Sequence, residues 1–70
     1  VHFVPCDSLA AGVVLVAYHG DVMRHVGVCV RVDGLLKVLH AHERAMRLDS
    51  AKNFERYCNG NRVVYMEMAA

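Results

Sequence analysis

Histidines are the residues of this chain best suited to acid–base chemistry, since an imidazole titrates close to neutral pH. The 70 residues contain five of them, and His25, His40 and His42 fall in two neighbouring segments with strand-like patterns. Two imidazoles brought together on a sheet could act as a general base and its orienting partner, or as two ligands of a metal ion. They could equally be ordinary polar residues at a sheet edge, so their relative placement decides between these interpretations.

Two segments that flank a turn dipeptide predict a β-hairpin around these histidines. His25–Val32 alternates strictly between valine and other residue types, which is the pattern of a strand. Asp33-Gly34 is a favoured two-residue type I′ turn, and the antiparallel return strand is predicted to run from Leu35 to His40 or as far as His42. The hairpin is therefore the strongest element of secondary structure in the sequence.

The turn sets the register of this predicted hairpin. Counting back from it places Gly27 opposite His40, and His25 opposite His42. Opposed residues of an antiparallel pair point to the same face, so all three histidines are expected on the face away from the valines. His25 and His40 become diagonal neighbours with Cα atoms about 7–8 Å apart, and Gly27 leaves space beside both rings. A slip of one residue would put the two rings on opposite faces.

A metal site would need ligands beyond two histidines. The candidates are His42, Cys29, Glu43 and Asp21, and they match no known ligand spacing. The sequence therefore leaves metal binding as the weakest of the three interpretations, and we predict no cofactor.

The three cysteines are widely separated, odd in number and without a CxxC pair, so we expect them to be reduced and structural. Cys29 falls on the histidine face, but its place within a strand lacks the helix N-terminus that would activate a thiol. Cys58 and Cys6 are predicted to serve packing. No nucleophile is therefore evident beside the histidines.

The elements that must position the histidines make up a small α+β fold. The remaining strands are predicted within Val1–Gly12, over Val13–Tyr18 and over Arg62–Met68, whereas Glu43–Leu48 is expected to be irregular. Asp49 or Ser50 could cap a short helix over Ala51–Cys58. This order predicts a small antiparallel, curved β-sheet or partial barrel with one short helix.

Composition limits the possible partners. A net charge of +1 is too small to indicate nucleic acid as a partner, and no apolar run reaches the roughly 18 residues that cross a bilayer. The 56% of hydrophobic residues excludes a disordered chain, and 70 residues allow one domain at most. Because the chain begins with Val1 rather than Met, we expect that it is part of a longer protein.

Several motifs together resemble the C-terminal half of an NlpC/P60 domain, a family of papain-like cysteine peptidases. The resemblance covers about Ala11 to Met68. It rests on the turn at Gly12, the apolar strand Val13–Val16, the sequence His25-Val26-Gly27-Val28 and the sequence Leu39-His40-Ala41. The last two sequences lie a few residues further apart than the family pattern leads us to expect.

The resemblance implies a function and a role for each histidine. NlpC/P60 enzymes cleave peptide bonds of bacterial peptidoglycan and also occur in phage tails, which implies a cell-envelope or virion location. His25 would be the catalytic base and His40 the residue that orients it, while His42 and Tyr18 could line the cleft. The family's nucleophile lies in an Asp-Cys-Ser-Gly-like motif at a helix start, and Cys6-Asp7-Ser8 does not match it.

Two explanations of the missing nucleophile remain open. The cysteine could lie upstream, so that residues 1–70 form one domain or half-domain of a peptidoglycan-peptide hydrolase. Alternatively, the chain could be a non-catalytic phage tail, assembly or binding module that keeps the fold. The corresponding partners are a peptidoglycan peptide or phage tail proteins, and the oligomeric state is left undetermined by the sequence.

Overall fold

The computed structural model describes residues 2–69; Val1, where the opening extended segment was predicted to begin, and Ala70 lie outside the described residues. The described part of the chain holds six strands and one helix. In chain order they are β1 (His2–Pro5), β2 (Val14–His19), β3 (Val22–Val32), β4 (Leu35–His42), β5 (Ala45–Asp49), α1 (Ala51–Tyr57) and β6 (Arg62–Ala69).

The six strands form one antiparallel sheet in the order β1-β6-β2-β3-β4-β5. This confirms the prediction of a small antiparallel α+β fold with one short helix. β2 pairs with β3, β3 with β4 and β4 with β5, which the short turns between them allow. β1 and β5 form the two edges of the sheet.

The hairpin turn between β3 and β4 has the predicted geometry. Asp33 and Gly34 both have positive φ angles, 52° and 80°, as a type I′ turn requires. Val32 pairs with Leu35, and the register continues back to the pair of Gly27 with His40. The predicted register is therefore confirmed over this ladder, which ends before His25 and His42.

Two predictions about strand boundaries are wrong. β3 begins at Val22 rather than at His25, and Arg24 forms a bulge because Ala17 pairs with His25 whereas Tyr18 pairs with Met23. Val22, Met23 and Arg24 do not continue the strict alternation that begins at His25, so the sequence pattern did not indicate this extension.

The segment predicted to be irregular contains β5. Its Met46 and Leu48 alternate with Arg47 and Asp49, which is a short strand pattern. The turn before it has a positive φ of 56° at Glu43, an angle uncommon for a residue other than glycine. The lack of an expected turn residue is why the sequence did not indicate this second hairpin.

The core lies between the sheet and α1, on the face that carries the histidines, which we call the histidine face. Ser50 caps the helix by accepting a hydrogen bond from the backbone N–H of Asn53 at 3.1 Å. The helix buries Phe54 completely, and Cys58 directly after it is also buried. Their partners on the sheet and before it are Val13, Leu15, Ala17, Cys29 and Val38.

The opposite face, which we call the valine face, remains open in the described residues. Its side chains include Val26, Leu48 and Met46, which are 47%, 46% and 62% exposed. Among residues 2–69 no helix is long and apolar enough to cross a membrane.

Candidate functional site: a hydrogen-bonded histidine pair

His25 and His40 meet on the histidine face. Nε2 of His25 lies 2.8 Å from Nδ1 of His40, which is a hydrogen bond, and the ring planes are nearly perpendicular at 87°. His40 is 1% exposed, whereas His25 is half-buried. The sheet therefore brings together the two histidines that the sequence singled out, with the outer ring partly accessible to solvent.

Gly27 makes room for this arrangement. A Cβ atom at this position would lie 2.6 Å from Cγ1 of Val38, 2.9 Å from Cε1 of Phe54 and 3.3 Å from Cβ of His40. Distances below 3.0 Å require a neighbour to move, and all of these neighbours are buried. The glycine between the two histidine strands thus lets the Phe54 ring lie directly against the sheet.

Two aromatic residues of α1 cover the histidine pair. The Phe54 ring stacks on His25 with 5.5 Å between centroids and contacts His40 edge-on at 5.0 Å. One helical turn later, Tyr57 lies 4.8 Å from His25 and 5.3 Å from His40. These contacts hold both imidazoles in fixed orientations and exclude part of the surrounding water.

The structure adds two residues that the sequence analysis did not select as site residues. Asp49 at the end of β5 lies with Oδ2 2.7 Å from Nε2 of His40. Arg47 contacts the same carboxylate, with Nε 3.2 Å from Oδ2 and an Nη atom 3.3 Å from Oδ1. The alternation of Arg47 and Asp49 with apolar residues is only a weak signal for so short a strand, and Asp49 was predicted only as a candidate helix cap.

Burial and charge set the protonation of this cluster. Burial lowers the pKa of His25 below its usual 6.5, and the neighbouring His40 and His42 lower it further. The hydrogen bond from His40 lowers the pKa of Asp49 below its usual 3.8, against the opposing effect of burial. At neutral pH His25 is therefore uncharged and Asp49 is ionised.

His42 and Tyr18 occupy different places. His42 contacts Tyr57 edge-on at 4.8 Å, so it belongs to the same aromatic cluster, and its buried Nδ1 has no hydrogen-bond partner within residues 2–69. Tyr18 follows Ala17 on β2 and so points to the valine face, where the guanidinium of Arg62 lies 4.9 Å from its ring. The structure therefore places His42 beside the pair and Tyr18 away from it.

The cysteines lie apart from the histidine pair. Cys29 and Cys58 are buried, and burial raises the pKa of both thiols, which keeps them protonated. Cys29 is four residues from His25 along β3, a separation of about 13 Å. The thiol of Cys6 contacts the backbone oxygen of Ser8 at 3.7 Å.

The geometry does not favour a metal centre. In the part of the chain from residue 2 to residue 69, no three His, Cys, Asp or Glu side chains are arranged to hold a metal ion. Nε2 of His25 and Nδ1 of His40 face each other, so neither nitrogen is directed at a shared ion. Asp21 and Glu43 lie in exposed turns.

A shallow depression of about 280 Å³ borders His25. It is also lined by Met23, the bulged Arg24, Val26 and Ala41. The bulge thus places a charged side chain at the rim of the space next to His25.

No protein-family model matches the chain, and it has no significant match among curated proteins or among solved structures.

Proposed function

We propose that the chain supplies the base half of a papain-like cysteine peptidase site of the NlpC/P60 type, acting on peptide bonds of bacterial peptidoglycan. The observation that carries the proposal is the 2.8 Å hydrogen bond between His25 and His40. It uses Nε2 of His25 and leaves Nδ1 as the nitrogen that can accept a proton. A half-buried ring with one nitrogen anchored and one available is suited to general base catalysis.

We place the nucleophilic thiol on polypeptide outside these residues. Cys29 and Cys58 are buried and protonated, and Cys6 lies directly after the edge strand β1 with its thiol against the backbone oxygen of Ser8. His25 takes the thiol proton on Nδ1, and the sulfur then attacks the carbonyl carbon of the peptide. The carbon–nitrogen bond breaks, and the amine leaves with the proton from His25. Water, deprotonated by His25, hydrolyses the thioester and releases a carboxylic acid and the free thiol.

The lowered pKa of His25 agrees with this role. A base that is neutral at pH 7 can accept the thiol proton, and the imidazolium so formed can return it to the leaving amine. The setting would be the bacterial cell wall or a phage particle that meets it.

The test is release of peptides from purified peptidoglycan by the full-length protein, followed by mass spectrometry. We expect His25→Gln to abolish release, because glutamine retains a donor towards His40 but provides no base. His19→Gln is the matched control, since His19 is exposed at the end of β2. Failure of the unaltered protein to release peptides, or unchanged release by His25→Gln, would overturn the proposal.

A non-catalytic binding or assembly module, such as a phage tail component, is the second candidate. The open valine face favours it, because exposed apolar side chains grouped on one face of a sheet are typical of a surface that packs against another polypeptide. The two candidates differ in one measurable respect, since only the first predicts hydrolysis of peptidoglycan that depends on His25.

A further inference from the structure

Asp49 is held firmly in the histidine site by its strand pairing, its burial and its side-chain contacts. It pairs with Val38 across β4 and β5, and its side chain is only 12% exposed. Its two oxygens contact His40 and Arg47, so the carboxylate has partners on both sides. An ionised carboxylate has only acceptor sites, and therefore Nε2 of His40 must carry the proton in their 2.7 Å hydrogen bond.

The proton on Nε2 of His40 determines which nitrogen of His25 carries a proton. A neutral imidazole carries one N–H, so protonation of Nε2 makes Nδ1 of His40 an acceptor. The 2.8 Å contact with His25 then requires that Nε2 of His25 donates. Neutral His25 consequently has no proton on Nδ1, and the lone pair of this nitrogen is free.

We infer that Asp49 is a positioning residue: through His40 it keeps the proton of neutral His25 on Nε2 and leaves Nδ1 as the proton acceptor. The inference deepens the proposed function, which needs that nitrogen, but the tautomers exist whether or not the protein is a peptidase.

The opposite tautomer of His40 is disfavoured by the same contacts. A proton on Nδ1 would leave the bare Nε2 facing the Asp49 carboxylate at 2.7 Å, with two acceptors opposed. His40 is 1% exposed and Phe54 packs against its ring, so the imidazole cannot turn to another partner without disturbing the core. The carboxylate thus selects one tautomer by repulsion as well as by attraction.

The chain of hydrogen bonds from Asp49 to His25 also accommodates the protonated state of His25. When Nδ1 of His25 accepts a proton, its Nε2–H continues to donate to His40, and the chain of hydrogen bonds needs no rearrangement. Tyr57 and Phe54 cover the His25 ring with their aromatic faces. Arg47 contacts both oxygens of the Asp49 carboxylate and so holds it in place.

The tautomers can be measured directly by long-range ¹H–¹⁵N correlation NMR of the imidazoles in the 70-residue chain at neutral pH. We expect both His40 and His25 to be protonated on Nε2. A proton on Nδ1 of either ring would overturn the inference. Because the spectrum needs neither thiol nor substrate, loss of the proposed peptidase function would not alter this result, and the two can fail separately.

Asp49→Ala tests whether the Asp49 carboxylate sets the tautomer of His25. Arg47→Ala is the matched control on the same strand. Without the carboxylate both tautomers of His40 become accessible. We expect the Nδ1-protonated fraction of His25 to rise by about tenfold, the effect of losing a hydrogen bond to a charged group. Arg47→Ala should keep the tautomer. An unchanged His25 tautomer in Asp49→Ala would overturn the inference, and the spectrum of the unaltered chain decides the question if that variant does not fold.

Discussion

The Phe54 ring lies so close to Gly27 that a Cβ atom on the glycine would come within 2.9 Å of Cε1 of the phenylalanine. The same hypothetical atom would lie 2.6 Å from Cγ1 of Val38. Gly27 is also the pairing partner of His40. One small residue therefore decides both how closely α1 approaches the sheet and how the histidine pair is covered.

Gly27→Ala is accordingly expected to destabilise the protein by about 1–3 kcal/mol, the usual cost of overpacking a core. Urea denaturation followed by circular dichroism measures the change. In a Val38→Ala background the nearest clashing methyl group is gone, so the additional cost of Gly27→Ala should be smaller. Equal costs in both backgrounds would show that the close contact with Val38 is not the source of the destabilisation.

Much of the site could be predicted from the sequence because a hairpin has few degrees of freedom. Asp33-Gly34 fixes the turn, the turn fixes the pairing of Gly27 with His40, and alternation then places His25 on the same face. The predicted relation between the two histidines needed no knowledge of the rest of the fold.

The contact of Asp49 with His40 could not be predicted from the sequence, for a physical reason. Asp49 reaches His40 only because β5 pairs with β4, and that pairing depends on a turn whose Glu43 has a positive φ of 56°. Neither the turn nor a five-residue edge strand has a strong signature in sequence. The contact of Tyr57 with the histidines could not be predicted from the sequence either, because it depends on how the helix packs across the sheet.

Tyr57→Ala should raise the pKa of His25 towards its usual value. Tyr57 is 40% exposed but lies 4.8 Å from the His25 ring, and burial is the main cause that lowers this pKa. NMR titration of the His25 ring protons measures the shift. Lys52→Ala, an exposed position on the same helix, is the control and should leave the titration unchanged. A pKa that stays the same or falls in Tyr57→Ala would contradict this account of the burial.

The stability of the protein should fall as the pH drops below about 6.5. The pKa of His25 is lowered in the folded state, so the unfolded chain binds more protons below the usual value of 6.5. Stability is then lost until the pH reaches the lowered pKa of the folded state. Asp49 also has a lowered pKa, so its stabilising contribution is present above 3.8 and is lost below that value.

Urea unfolding at a series of pH values separates these two phases. His25→Gln should make the decline that begins near pH 6.5 shallower, whereas His19→Gln at an exposed position should reproduce the original slope at that onset. An identical pH dependence in His25→Gln would show that this residue does not link protonation to folding.

Ser50→Ala should destabilise the protein by about 0.5–2 kcal/mol, the range for loss of a helix N-cap. Ser50 Oγ accepts the N–H of Asn53, and the seven-residue helix it caps carries both Phe54 and Tyr57. A helix this short depends strongly on its cap and on packing, because its own backbone hydrogen bonds are few. Loosening it should therefore also move the His25 ring resonances, which report on the stacked Phe54.

The matched variant is Ser50→Asp, which keeps a side-chain oxygen that can cap the helix and adds a negative charge at its start. It should retain both the stability and the His25 resonances of the unaltered chain. Because the cap lies directly after Asp49, a change in the His25 signals common to both variants would point to a disturbed carboxylate. A change confined to Ser50→Ala assigns the effect to the helix, and thereby to the aromatic covering of the histidine pair.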